Sequence, residues 1–315
     1  MSGPVLVTGG AGFAGSHLIE HLSGAGTDTV PIVAWTRSDP PPASAALARW
    51  TRVDLLDRDR VRHEIAKLRP ARIFHCAGAA HVGTSFHNTA EPLRSNALTT
   101  HYLLDAARRA GVTCRVLITG SAMVYAPSPS PLTEGDTLRP TSPYGLSKLA
   151  QEQIALDVQA GDGLEVVVTR TFNHTGPRQH ASFAAPGFAR QIAMIERGAV
   201  EPVIRVGNVD TIRDLTDVRD TVRAYALLMD RGTPGTAYNV ATGVGRTIRS
   251  VLEAFINRSK VPVEIVVDPD RLRPLDNPVM VGDPSRLRAA TGWTPELPFD
   301  RTVDDLLAYW RSQPL

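Results

Sequence analysis

Val5-Leu6-Val7-Thr8-Gly9-Gly10-Ala11-Gly12-Phe13-Ala14-Gly15-Ser16 decides the fold of this chain. An apolar run of β type ends at Thr8, glycines follow at 9, 12 and 15, and a helical pattern continues to Ser23. Strand, glycine turn and helix in that order make a cradle for a dinucleotide pyrophosphate. Gly9 permits the tight turn, Gly12 lets the backbone approach the phosphates, and Gly15 lets the helix pack close to the strand. Phe13 and Ala14 open the helix, whose unpaired N–H groups and dipole attract anionic oxygen.

Outward from this stretch, apolar segments Pro31–Trp35, Arg49–Val53, Arg72–Cys76, Val116–Thr119 and Val166–Arg170 alternate with helical ones at Arg58–Leu68, Ala97–Ala110 and Tyr144–Gln159. The alternation predicts an α/β chain with a Rossmann-type doubly wound parallel sheet, which binds ligands beyond the C-terminal ends of its strands. The rhythm breaks near Asn173, where Gly, Pro, Arg and His become frequent. A helix over Asp217–Met229 and a strand at Ala237–Val240 return to the sheet. Helix Ser250–Asn257, strand Val263–Val267 and the proline-rich run Asp268–Pro284 belong to a smaller, interleaved C-terminal substrate lobe. The expected division is 1–172 with 215–242 for the dinucleotide, and 173–214 with 243–315 for the substrate.

Composition narrows the function. A chain of 315 residues that is 43% hydrophobic buries a substantial core. With a net charge of +2 and no long basic run, no nucleic-acid surface is expected. No apolar run approaches bilayer length, so no membrane contact is expected either. Two cysteines, Cys76 and Cys114, and no charged-then-apolar leader before Val5 point to a reduced, cytosolic protein. Only three of the 34 basic residues are lysines: Lys67, Lys148 and Lys260. A lysine inside a chemical motif is therefore conspicuous, because its compact ammonium has a tunable pKa.

Such a motif is Ser142-Pro143-Tyr144-Gly145-Leu146-Ser147-Lys148. Ser142 suits an N-cap and Pro143 the first helical position, which sets Tyr144 and Lys148 one turn apart on one face. The ammonium is expected to lower the phenol's pKa and make Tyr144 an acid–base group. Ser121, just after the strand ending at Thr119, is expected to orient the substrate oxygen. With the glycine turn, Ser121, Tyr144 and Lys148 specify nicotinamide-dependent chemistry on an alcohol or ketone. At the end of the second strand no carboxylate appears before Asp39, whereas Arg37 and Ser38 offer a clamp for a 2′-phosphate. NADP(H) is thus preferred, with NAD(H) as the alternative. Asp54 and Leu55 are expected to flank the adenine, and Ala77, Gly78 and Ala79 to pass under the ribose and nicotinamide. No cluster has metal-ligand spacing, so no metal is expected.

These motifs, together with Ala80–Phe86, Arg170–Gln179 and Val206–Asp214, resemble the extended short-chain dehydrogenase/reductases over nearly the whole chain. More narrowly, they are similar to the GDP-mannose 4,6-dehydratase and GDP-6-deoxy-4-keto-mannose reductase branch. The resemblance implies a homodimer acting on a nucleotide sugar. It sets Asn173 near the sugar or diphosphate, and Arg213 and Arg273 on the nucleotide. Arg178 and Arg190 are further candidates for the diphosphate, and His81 and Ser85 for the hexose. Dehydratases of this kind carry Thr-x-Glu or Thr-Asp-Glu where this chain has Ser121-Ala122-Met123. Neither Ala122 nor Met123 moves a proton, so reduction of the C4 ketone of a nucleoside-diphosphate 4-keto-6-deoxyhexose is the leading reading, with GDP-4-keto-6-deoxy-mannose as substrate. A 4-epimerase with retained NAD and a dTDP-4-keto-6-deoxyhexose reductase are the alternatives.

Overall fold

The structure is a computed structural model and describes residues 3–24, 30–80, 82–162, 164–271 and 277–314. Its centre is a seven-stranded sheet of order β10-β6-β5-β4-β1-β2-β3. The strands are β1 (Val5–Thr8), β2 (Ile32–Thr36), β3 (Arg49–Arg52), β4 (Arg72–His75), β5 (Arg115–Thr119), β6 (Glu165–Thr171) and β10 (Thr236–Val240). Every pairing in it is parallel. The chain winds outward in both directions from the β1–β4 seam, so the loops after β1 and β4 face each other across the crevice that forms there.

Alternation along the strands builds a core on each side. Leu6, Val33, Ile73, Val116, Ile118, Val166 and Val168 pack with Val61, Ile65, Leu103 and Leu104 on one side. Val5, Val7, Ala34, Phe74, Leu117 and Val167 pack with Leu18, Ile19, Val222, Tyr225 and Leu228 on the other. Covering both faces with helices is what allows nearly continuous apolar strands. The expected strands of this sheet appear within one or two residues of their predicted bounds. The expected helix over Ala97–Ala110 begins as a π-helical stretch, Leu93–Leu98, and continues as an α-helix over Thr99–Arg109.

The second half holds more regular structure than its composition suggested. β7 (Asn173–Thr175), β9 (Ile212–Asp217), β11 (Gly245–Thr247) and β13 (Val279–Met280) form a second sheet, with β9 pairing to each of the others. β8 (Val203–Val206) pairs with β12 (Glu264–Val267). A helix over Ala184–Glu196, unexpected from the sequence, packs Phe188 and Ile192 against Ile204, Val251, Phe255, Val303 and Leu306. No helix among the described residues is long and apolar enough to cross a membrane.

Candidate active site

The glycine turn sits at the β1–β4 seam. Gly9 has φ +66°, and a Cβ there would lie 2.7 Å from the Ala77 backbone. A Cβ on Gly15 would lie 2.3 Å from the Gly9 carbonyl oxygen. Both positions therefore admit only glycine, which lets the turn, the helix Phe13–Gly24 and the loop after β4 close on one another. Gly12 is exposed at the mouth of the turn, and Phe13 and Ala14 are half-buried behind it. An open strand-turn-helix cradle of this shape fits a dinucleotide pyrophosphate.

Around that cradle, Arg37 and Ser38 are exposed just past β2. The Thr36 hydroxyl donates to the Ser38 carbonyl at 2.9 Å and accepts from the Ser38 N–H at 3.1 Å, holding this corner. Asp54 is exposed and accepts from the Leu56 N–H at 3.0 Å, while Leu55 turns into the core. Ala77 and Ala79 are half-buried and Gly78 exposed along the loop after β4. Asn96, which sequence reasoning passed over, fastens this loop to the helix Pro143–Asp162. Its Oδ1 accepts from the Ala79 N–H at 2.9 Å and its Nδ2 donates to Ser147 Oγ at 2.8 Å. Asn96 sits among Arg94, Ser95, Thr99 and Thr100, so no pattern in the sequence marked it.

The helix Pro143–Asp162 carries Tyr144 and Lys148. Ser142 Oγ accepts from the Gly145 N–H at 3.0 Å, the expected N-cap contact. Ser121 follows β5, and its hydroxyl hydrogen-bonds to the Tyr144 phenol. Lys148 Nζ donates to the Thr119 carbonyl and to Gln151 Oε1, each at 2.9 Å. It lies against the loop after β4, 3.6 Å from where a Cβ of Gly78 would be. Strand ends and helix thus bring Ser121, Tyr144 and Lys148 together at the mouth of the glycine crevice.

One electrostatic expectation is corrected. The Tyr144 pKa is raised, not lowered: burial dominates, and the Ser121 hydrogen bond only partly opposes it. Lys148 has its own pKa lowered to about 8, again by burial. Without cofactor, the phenol is held protonated and the ammonium is the group near its titration point.

The substrate-side residues are more scattered. Asn173 is exposed at the start of β7, Arg190 is exposed on the helix Ala184–Glu196, and Arg213 is half-buried on β9. Arg178 forms an ion pair with Glu20 at 2.8 Å, which ties the segment after β7 to the glycine helix and engages the guanidinium with a carboxylate of the protein itself. Ser85 is 1% exposed. Its hydroxyl donates to Val82 O at 2.6 Å and accepts from the Tyr144 N–H at 3.3 Å. The geometry gives it the task of fixing the catalytic helix, with no hydroxyl hydrogen left for a hexose. His81 and Arg273 lie outside the described residues. No group of three or more His, Cys, Asp or Glu among the described residues is arranged to hold a metal ion.

A family model for GDP-mannose 4,6 dehydratase matches residues 6–306. The chain belongs to the GDP-mannose 4,6-dehydratase family. It is 34% identical to the GDP-6-deoxy-D-mannose reductase of Pseudomonas aeruginosa, with 99% of both chains covered. It is 31% identical to a UDP-glucose 4-epimerase of Azospirillum brasilense, covering 98% of this chain and 92% of that one. Among solved structures it is similar to RMD from Pseudomonas aeruginosa complexed with NADPH, with TM-score 0.86, 33% identity and 99% of each chain covered. It is an NAD(P)-dependent enzyme of the extended short-chain dehydrogenase/reductase type. The turn after Ser121 holds Ala122 and Met123, so no carboxylate stands at either position.

Proposed function

We propose that this chain is a sugar-nucleotide 4-ketoreductase that uses NADPH to reduce the C4 ketone of GDP-4-keto-6-deoxy-mannose. The observation that carries this reading is a Ser121–Tyr144–Lys148 set brought together at the crevice, with no carboxylate at positions 122 and 123. The full-length likeness to a GDP-6-deoxy-D-mannose reductase supports the same substrate class.

A reduced nicotinamide, when bound, supplies the hydride that C4 accepts. Tyr144 Oη gives its proton to the ketone oxygen as the carbonyl π bond breaks, so the product is a secondary alcohol. A raised phenol pKa suits this direction, because the acid is present at neutral pH. Ser121 Oγ orients the ketone oxygen by hydrogen bonding. Lys148 holds the cofactor ribose, and its charge favours the phenolate left behind until solvent returns the proton.

The cofactor falls to residues 1–172 with 215–242, and the nucleotide sugar to 173–214 with 243–315. Gly9, Gly12, Phe13, Ala14 and Gly15 hold the pyrophosphate, with Ala77, Gly78 and Ala79 beneath the ribose and nicotinamide. Arg37 and Ser38 take the 2′-phosphate, and Asp54 and Leu55 border the adenine. Asn173, Arg190 and Arg213 are assigned to the nucleotide sugar, and the resemblance adds Arg273 for the nucleotide and His81 for the hexose. The exposed Leu93 and Leu146 support dimerisation through the helices that carry them. The free thiols of Cys76 and Cys114 suit the cytosol.

NADPH absorbance with GDP-4-keto-6-deoxy-mannose, compared with dTDP-4-keto-6-deoxyglucose, tests the proposal. Consumption with the GDP sugar is expected. Consumption with the dTDP sugar alone would change the base, and none with either would move the function to an epimerase with resident NAD.

A further inference from the structure

Beneath Lys148 lies a chain of side chains that the chemistry above does not use. Lys148 Nζ donates to Gln151 Oε1 at 2.9 Å, and Gln151 Nε2 donates to Thr100 Oγ1 at 2.8 Å. Thr100 Oγ1 lies 2.8 Å from His75 Nε2, and His75 Nδ1 lies 2.7 Å from Thr8 Oγ1. Gln151, Thr100, His75 and Thr8 are all 0% exposed. The chain runs from the catalytic helix, through the helix Thr99–Arg109 and the end of β4, to the last residue before the glycine turn.

Donor and acceptor counting fixes its direction. An ammonium only donates, so the amide oxygen of Gln151 must face Lys148 and its NH2 must face Thr100. Thr100 gives its one proton to the Asn96 carbonyl at 2.7 Å. It therefore accepts from Gln151 and also from His75, which must carry its proton on Nε2. Nδ1 is then the acceptor for the Thr8 hydroxyl. Every buried polar atom along this path has a partner, the condition under which such networks rigidify a core.

We propose that Gln151 is the positioning residue for Lys148, fixing the ammonium at the cofactor side of the crevice and tying it through Thr100 and His75 to Thr8 at the glycine turn. The proposal rests on the reading of Lys148 as the ribose-holding residue, but its NMR test needs neither cofactor nor substrate.

The described titratable groups that interact with Lys148 are His75 and Cys76 at the β4 end, and Tyr144 lies one turn before it on the same helix. Tyr225, on the helix Val218–Arg231, faces Cys76 and Tyr144 in turn. Burial pushes Cys76 up to about 12 and His75 down to about 3, and it raises both Tyr144 and Tyr225. Each of these stays neutral near pH 8, which leaves the ammonium as the group in this set that titrates there.

The scarcity of lysine makes the test direct. Protein labelled at lysine Cε gives three NMR signals, from Lys67, Lys148 and Lys260, and Lys67→Arg and Lys260→Arg variants identify the third. Gln151→Leu removes an acceptor that favours the charged form, so the Lys148 midpoint should fall by about one pH unit. Gln151→Glu keeps an acceptor on Lys148 and adds a negative charge, so the midpoint should rise by about one unit or more. Thr100→Val removes the hydroxyl that holds the amide in place and should give a smaller fall, which serves if either Gln151 variant fails to fold. The alkaline limb of kcat/KM should follow the same order. Opposite displacements by Leu and Glu support positioning of the ammonium. One midpoint for all variants, or displacement of both Gln151 variants in one direction, overturns the proposal whether or not the enzyme proves to be a reductase.

Discussion

Gln151 and Glu152 are neighbours on one helix, yet they serve two different regions. Gln151 is buried beneath Lys148 and joins it to a chain of neutral partners. Glu152 points the other way and pairs with Arg170 at 2.6 Å, the two side chains being 1% and 7% exposed. Arg170 also donates to the Tyr125 hydroxyl at 3.0 Å, and Tyr125 donates to Asn239 Oδ1 at 2.6 Å. One side of the helix keeps a single charge near its titration point; the other encloses a fully compensated ion pair that fastens the helix to β6 and β10. The difference separates polar burial that serves chemistry from polar burial that serves stability.

The largest expected effect lies on the crevice side. Tyr144→Phe should lower kcat by about 100- to 10,000-fold, because it removes the proton donor, while the thermal midpoint stays near that of the parent. Steady-state kinetics beside calorimetry checks this, and a large loss of stability would blur the distinction between the two regions. On the other side, Arg170→Met leaves Glu152 buried and uncompensated, at a cost of about 3–5 kcal/mol in folding stability. Denaturant unfolding measures it. Arg170→Met with Glu152→Leu should recover most of the loss, and unchanged stability in the single variant would deny the clamp its role.

Smaller effects sharpen the contrast. Arg37→Ala, remote from both sides of the helix, should weaken NADPH binding by about tenfold through loss of a charge-assisted contact. NADH binding should stay the same; equal weakening of both in a fluorescence titration would remove the 2′-phosphate from its role. Stability against pH gives a separate check. Burial lowers the folded-state pKa of His75 to about 3 and of His17 to about 4, from 6.5. The unfolded chain then takes up protons that the folded one refuses, so these two groups make stability fall as pH drops from about 6.5 toward 4. Thermal melts across that range test the sign, and His75→Gln should reduce the slope.

Legibility followed the same division. Strands β1 to β6 were readable because a doubly covered parallel sheet demands apolar runs bounded by turns. Gly9 and Gly15 were readable because close backbone contacts leave room for no side chain. β7, β11 and β13 were not, since strands of two or three residues carry no period, and all three exist by pairing with β9. Ser85 and Arg178 looked like substrate ligands by position in a motif, but their partners, Tyr144 and Glu20, are remote in sequence. The lowered phenol pKa expected from Tyr144 and Lys148 failed because spacing carries no information about burial.

The sequence by itself determined the doubly wound sheet, the glycine cradle, the Ser121–Tyr144–Lys148 set and the lack of carboxylates at 122 and 123. These depend on residue type and local spacing, which steric and hydrogen-bonding rules convert directly into geometry. Only the tertiary structure decided that Lys148 rests on Gln151, that His75 is a neutral link to Thr8, and that Arg178 pairs with Glu20 of the glycine helix. Those outcomes depend on which distant side chains share a water-free interior, where a polar atom must find a partner and a charge is felt most strongly.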